Sequence, residues 1–215
     1  MHGDFSRSIE WRADARASGV SGWWWVVGDR GGFDGPAADF DRLSTAALSV
    51  VRDRGTCVQA GGCCGMYPRL WSRYFDRVYT FEPDPLNFMV LCLNNQSERV
   101  VKMNCALGDG EPVSFRPGRP GGDSENVGTG TVRPGGQSPA LRLDSLNLQS
   151  VGLVQLDVEG YERAVVAGAV ETICRCRPVV TMETDDDALM ARLGYRRLGK
   201  FGNDTIYVPQ ETAGV

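Results

Sequence analysis

Along the chain, short apolar runs at β-type spacing alternate with stretches whose apolar positions recur at helical spacing, the pattern of an α/β protein with parallel strands. From Ala37 to Arg54, the residues Phe40, Leu43, Ala47, Leu48 and Val51 fall at helix spacing. Thr56 to Ala60 reads as a strand that runs into Gly61, Gly62, Cys63, Cys64 and Gly65, with Tyr67 to Phe75 as the next helix. A second strand, Arg77 to Phe81, ends on Glu82. Asp84 then reads as an N-cap and Pro85 as the first residue of a helix reaching Asn95.

Val100 to Asn104 predicts a third strand and Val113 to Phe115 a short extra one. Between residues 116 and 139 prolines and glycines dominate and periodicity is lost, which predicts a mobile lid or substrate loop. Order resumes at Leu141 to Leu146. Leu153 to Leu156 is a predicted strand ending on Asp157, Glu162 to Cys174 a helix, Pro178 to Met182 a strand ending on Glu183, and Asp187 to Leu193 a helix. Tyr195 to Phe201 and Thr205 to Val208, around Gly202 and Asn203, predict a terminal hairpin. The expected organisation is an N-terminal extension over 1–36, packed onto a single domain over 37–215.

Composition narrows the class. The 215 residues are 42% hydrophobic and 23% charged, which suits a globular domain and argues against disorder. A formal net charge of -4 without a block of like charges gives no reason to expect a nucleic-acid partner. Trp23, Trp24 and Trp25 with Val26 and Val27 form the densest apolar run, far short of the roughly 20 residues of a membrane span. That run is expected to pack the extension onto the domain, with a substrate-site wall as the other reading. Met1 to Asp4 lack a secretory start, and seven cysteines, two of them adjacent, suit a reducing, cytoplasmic setting.

In an open parallel sheet, ligands bind at the C-terminal ends of the strands, where the strand order reverses. Three predicted strands end on Glu82, Asp157 and Glu183. The glycine turn Gly61 to Gly65 permits positive φ and close approach of a ligand to the main chain. An acid about 20 residues on, Glu82, has two oxygens with which to accept both hydroxyls of a ribose. So far a nicotinamide dehydrogenase is served as well as a methyltransferase. The dinucleotide pattern G-x-G-x-x-G, however, meets Ala60 at its first position, and G-x-x-x-G through Gly61 and Gly65 fits better.

The run Val58 to Gly65 (VQAGGCCG), then Thr80 to Asp84 (TFEPD), Ala106 to Asp109 (ALGD), Leu143 to Leu146 (LDSL), Leu156 to Glu162 (LDVEGYE) and Arg177 to Glu183 (RPVVTME) resembles the FkbM-type methyltransferase family. The AGG form of the turn is most similar to versions carried by bacteriophages. The resemblance implies a class I methyltransferase (Rossmann-like) fold: a doubly wound sheet, mostly parallel, with the C-terminal hairpin antiparallel. It implies S-adenosylmethionine as cofactor and a hydroxyl of a sugar or small molecule as acceptor. By position, Gly61 and Gly65 would lie against the methionine part, Glu82 would hold the ribose, Ala106 and Leu107 would border the adenine, and Asp157 would face the reacting centre beside Glu159. The family usually has an acid at the position of Gln59 and often an asparagine at that of Cys63. Gln59 still offers hydrogen bonds to the amino acid end of the cofactor, without a full negative charge.

A hydroxyl acceptor must lose a proton, and His2, at the extreme terminus, is the single histidine. Asp157 is therefore the expected general base, with its pKa raised by burial or neighbouring carboxylates. Glu159 is divided between the active site and loop structure, and Glu162 reads as a helix-start acid. No metal is assigned; a divalent ion bridged by Asp157, Glu159 and Glu183 is the conceivable exception. Substrate selection is expected in the 116–139 loop and the tryptophan-rich extension, with Asn126, Thr129 and Arg133 facing either a sugar or solvent. Rival readings are an NAD-dependent oxidoreductase and a non-catalytic binding module on the same fold.

Overall fold

The computed structural model describes residues 9–12, 22–29, 37–118 and 126–212, without the side chains of 37–40. The expectations for Met1 to Asp4, for His2 and for the side chain of Phe40 lie outside these residues, as does the 119–125 part of the glycine-rich loop.

A seven-stranded sheet forms the centre, in the order β12-β13-β11-β10-β3-β4-β5. The five parallel strands are β3 (Thr56–Ala60), β4 (Arg77–Phe81), β5 (Val100–Met103), β10 (Leu153–Leu156) and β11 (Val179–Met182). The terminal hairpin of β12 (Tyr195–Phe201) and β13 (Asp204–Pro209) adds antiparallel to β11. Chain order runs outward one way through β3, β4 and β5 and the other way through β10 and β11. The reversal therefore falls between β3 and β10, at the position where a doubly wound sheet opens a ligand crevice.

Each side of the sheet carries its own apolar layer. Val58, Val154 and Val180 face Val165, Val166 and Ile173 of α4 (Glu162–Ala167) and α5 (Val170–Cys176). On the other side Cys57, Leu153, Val179 and Ile206 meet Leu43 and Ala47 of α1 (Ala37–Val50) and Trp71 of α2 (Met66–Trp71). The alternation along each strand sets both layers at once, because successive side chains point to opposite faces. Helix α3 (Pro85–Asn94) starts as its sequence predicts: Asp84 caps it, accepting from the amides of Leu86 and Asn87, and proline takes the first turn.

Two expectations are corrected. The segment from Glu162 is two helices, broken at Gly168. There the main chain presses on the carbonyl oxygen of Gly108, which a Cβ would approach to 1.8 Å. The described part of the 116–139 stretch, residues 116–118 and 126–139, also has regular structure. β8 (Thr131–Pro134) pairs antiparallel with β7 (Val113–Arg116), preceded by a 3-10 turn over Val127–Thr129. Four residues per strand and a closing proline are too short a run to show a period of two. Two parallel residues each from β6 (Ala106–Leu107) and β9 (Ala140–Leu141) complete the small sheets on that side.

The extension forms a ribbon of β1 (Ile9–Arg12) and β2 (Trp23–Val26), with the rings of Trp11 and Trp24 edge to face at 5.5 Å. Asn94 of α3 clasps β2: its Oδ1 accepts from the amide of Trp24 at 2.8 Å and its Nδ2 donates to the carbonyl of Trp24 at 2.9 Å. The guanidinium of Arg69 stands 4.9 Å over the ring of the buried Trp23. Among the described residues, no helix is long and apolar enough to cross a membrane.

Candidate functional site

A cleft enclosing about 180 Å³ opens above the C-terminal ends of β3, β4 and β10. Its polar floor comes from the glycine turn after β3, Glu82 after β4, and Asp157 and Glu159 after β10. The turn is held down by two bonds, from the amides of Gly61 and Gly62 to the carbonyl of Phe81, at 3.0 and 2.9 Å. Gly61 has φ +83°, and a Cβ there would lie 1.7 Å from the carbonyl oxygen of Asp157. Only glycine allows the ends of β3 and β10 to come this close.

Glu82 is 5% exposed, and both its oxygens are engaged: Oε2 accepts from the amide of Cys63 at 2.6 Å, and Oε1 from the amide of Asp84 at 2.8 Å. Burial is the main cause that lifts its pKa to about 7. The two amide bonds pull it down, and the charge of Asp84 pushes it up. Each oxygen retains capacity for a second hydrogen bond from a ligand hydroxyl.

On the other side of the reversal point, carboxylates gather. Asp157, Glu159 and Glu183 bring one oxygen each within 4.8 Å of one another, the separation of ligands around one metal ion. Burial raises the pKa of Asp157 well above the usual range, and the charges of Asp204, Glu183, Glu159 and Glu162 add to it. Glu159 is pushed to about 7 by burial, then by Glu183 and Glu162. Asp204 reaches about 7, by burial and then Glu183 and Glu162, with Lys200 acting against them. Mutual repulsion of this kind raises proton affinity, so that a member of the group, once ionised, is a stronger base than an ordinary carboxylate.

The structure brings Gly61, Glu82, Ala106, Leu107, Asp157 and Glu159 to one cleft. Gln59 and Gly65 do not line it. Gln59 is 0% exposed on β3, where its Oε1 accepts from the Thr80 hydroxyl at 2.5 Å and its Nε2 donates to the carbonyl of Gly61 at 2.8 Å. It steadies the turn from behind, because the pleat that aims Ala60 at one face aims Gln59 at the other. Gly65 has φ +92° at the start of α2 and packs on Asn95. Of the three loop residues, Asn126 lines the cleft, whereas the Thr129 hydroxyl turns back to the carbonyl of Asn126 and Arg133 is exposed. Glu162 is buried at the start of α4 and accepts from the amide of Gly160 at 3.3 Å.

Sequence reasoning missed several residues of the site. Trp25, Phe115, Val127, Val132 and Tyr161 supply apolar walls. The tryptophan run pointed towards the first of these, whereas Phe115 and Val132 depend on the short β7–β8 ribbon. Asp204 enters the acid cluster from the terminal hairpin because β13 lies beside β11, which places it next to Glu183, and strand order is not visible in local sequence.

Comparison with known proteins gives a match to a family model, the methyltransferase FkbM domain, over residues 67–196. Searching curated proteins gives no match. Among solved structures, methyltransferase FkbM from Methylobacillus flagellatus KT is similar at 14% identity with a TM-score of 0.49, covering 80% of this chain and 53% of that one. A mutant of MtNAS in complex with S-adenosylmethionine matches at 16% identity and a TM-score of 0.48, over 82% of this chain and 63% of that one. Putative methyltransferase yhhF from Escherichia coli matches at 12% identity and a TM-score of 0.45, over 88% and 93%. The chain thus spans about half the length of the Methylobacillus structure.

Proposed function

This chain belongs to the FkbM methyltransferase domain family, and from that premise we propose that it transfers a methyl group from S-adenosylmethionine to a hydroxyl of a sugar or other small molecule. The observation that carries the reading is the convergence of Glu82 and Asp157, from either side of the sheet's reversal point, on one cleft. Two features fit the cofactor. A buried carboxylate with spare acceptor capacity suits a ribose diol, and the Gly61–Gly62 main chain gives a floor on which no side chain stands in the way. Ala106, Leu107, Phe81 and Pro83 give the cleft an apolar part suited to a purine.

S-adenosylmethionine, when bound, supplies an activated methyl group together with its own leaving group. The protein then has to align the acceptor and remove its proton. Asp157 does the second: its carboxylate takes the proton of the acceptor hydroxyl, whose O–H bonding electrons stay on the oxygen. Burial first, and then the charges of Asp204, Glu183, Glu159 and Glu162, raise the proton affinity of that carboxylate. Trp25, Phe115 and Val132 exclude water from the apolar side.

The test is a screen of sugar and small-molecule hydroxyl acceptors with isotopically labelled cofactor, followed by mass analysis of the product. Label in an O–CH3 group, with release of S-adenosylhomocysteine, is the expected result. Label on nitrogen or carbon would keep the transferase and remove the oxygen acceptor. Cofactor binding without turnover on any acceptor would favour a binding module, and NAD binding without response to S-adenosylmethionine an oxidoreductase.

A further inference from the structure

Trp25 and Val127 share one wall of the cleft, although they come from β2 and from the 3-10 turn before β8. What joins them is Asp29, in the turn after β2. One carboxylate oxygen of Asp29 accepts from the indole N–H of Trp25, and the other accepts from the backbone N–H of Val127 at 2.8 Å. The side chain is 0% exposed. An ionised carboxylate accepts and does not donate, and it has two oxygens, so two convergent donors match it in number and in kind.

The surroundings fix this bridge from both ends. The main-chain oxygen of Asp29 accepts from Nη2 of Arg12 at 2.9 Å, which ties it to β1. Asn87 of α3 donates to the carbonyl of Val127 at 3.2 Å, so the Val127 residue is held through its N–H and its C=O together. Asn94 of the same helix, besides clasping Trp24, donates to the carbonyl of Cys64 at 2.7 Å. Apolar packing alone would seat the ribbon without a direction. A buried carboxylate is costly to desolvate, and what it contributes here is the direction and spacing of two lining groups.

We propose that Asp29 is a positioning residue for ligand binding: its carboxylate holds Trp25 and the 126–130 segment at the spacing at which they close on the bound ligand. Asp29 touches the wall and not the ligand. The inference rests on the reading of the cleft as a S-adenosylmethionine site.

Calorimetric titration with S-adenosylhomocysteine tests it on the unmutated protein, Asp29→Asn, Trp25→Phe and the double variant, with melting temperatures measured alongside. Asn keeps the size of the side chain but turns an NH2 towards one of the two donors. Phe keeps an aromatic ring and removes the indole donor. Each single variant is expected to weaken binding about tenfold. The double variant is expected to be no weaker than the weaker single one, because both act through one contact. Turnover of Asp29→Asn at saturating cofactor should stay within about twofold, since Asp29 touches the wall and not the reacting groups. Unchanged affinity in Trp25→Phe, or additive losses in the double variant, would overturn the proposal while leaving the cofactor reading intact. A fall in turnover that tracks a fall in melting temperature would reduce Asp29 to a fold-stabilising residue and overturn it too. No binding by the unmutated protein would remove the cofactor reading, and this inference with it.

Discussion

The backbone N–H of Cys63 donates to Oε2 of Glu82 at 2.6 Å, so the glycine turn and the proposed ribose acceptor are fixed by the same carboxylate. Replacing Glu82 therefore disturbs both the ligand contact and the turn that forms the cleft floor. Glu82→Gln keeps the shape but loses the charge, and is expected to weaken S-adenosylhomocysteine binding by at least about tenfold, a charge-assisted hydrogen bond being roughly twice as strong as a neutral one. In the unmutated protein, affinity should fall as pH drops below about 7, where Glu82 takes up a proton. Titrations at several pH values check this; a flat profile from pH 6 to 8 would contradict it.

Asp157→Asn separates binding from chemistry. The variant should keep cofactor affinity within a few fold and lose roughly 100- to 10,000-fold in turnover, the usual contribution of a positioned base. The rate of methyl transfer proposed for the unmutated protein should rise with pH, since burial and the neighbouring acids hold Asp157 protonated well above the ordinary carboxylate range. Activity should also survive chelator treatment. Loss with EDTA and recovery with Mg2+ would instead assign Asp157, Glu159 and Glu183 to an ion.

Stability should fall as pH rises through the same region. Glu82, Glu159 and Asp204 titrate near 7 in the fold and near their ordinary values of 4.5, 4.5 and 3.8 when unfolded. Between about pH 4 and 7 the folded chain thus binds more protons than the unfolded one, and linkage makes the slope of unfolding free energy with pH negative. Exposed pairs such as Arg177–Glu211 work in the opposite sense, but below that window, since Glu211 titrates at about 2. Urea midpoints should accordingly be higher at pH 5 than at pH 8, and a rise in the midpoint over that interval would refute the electrostatic picture.

Gly168→Ala is expected to destabilise the fold by about 1–3 kcal/mol, the usual range for overpacking against an unyielding group. The added Cβ would meet the carbonyl of Gly108, and the end of α4 must shift to clear it. Thermal unfolding of the variant, with cofactor absent, is the direct measurement.

What could be read from the chain was whatever depends on local alternation. Leu153 to Leu156 announces a strand, and the acid following it necessarily lies at a strand end; Glu82 after Arg77 to Phe81 follows the same logic. Asp84 and Pro85 mark their helix start by cap chemistry alone. Gln59 was harder to place, since whether its side chain lies above the strand end or inside the sheet turns on a single residue of pleat. The break at Gly168 depends on a partner 60 residues earlier in the chain, and the β7–β8 ribbon is hidden under prolines and glycines. Asp29 carries no motif at all, as its two donors come from a neighbouring indole and from a backbone 98 residues away.

The position of Asp204 at the head of β13 sets an order of assembly. A polypeptide emerges from its N-terminus, so the residues of β3, β4 and the glycine turn are synthesised well before those of the terminal hairpin. A nascent chain made only as far as Arg192 has the pieces of the proposed cofactor floor but lacks the Asp204 carboxylate that bears on Asp157. In such a partial molecule the residues proposed for recognition come ahead of a group proposed for reactivity, and the charge of Asp204 reaches Asp157 only when β13 joins the sheet.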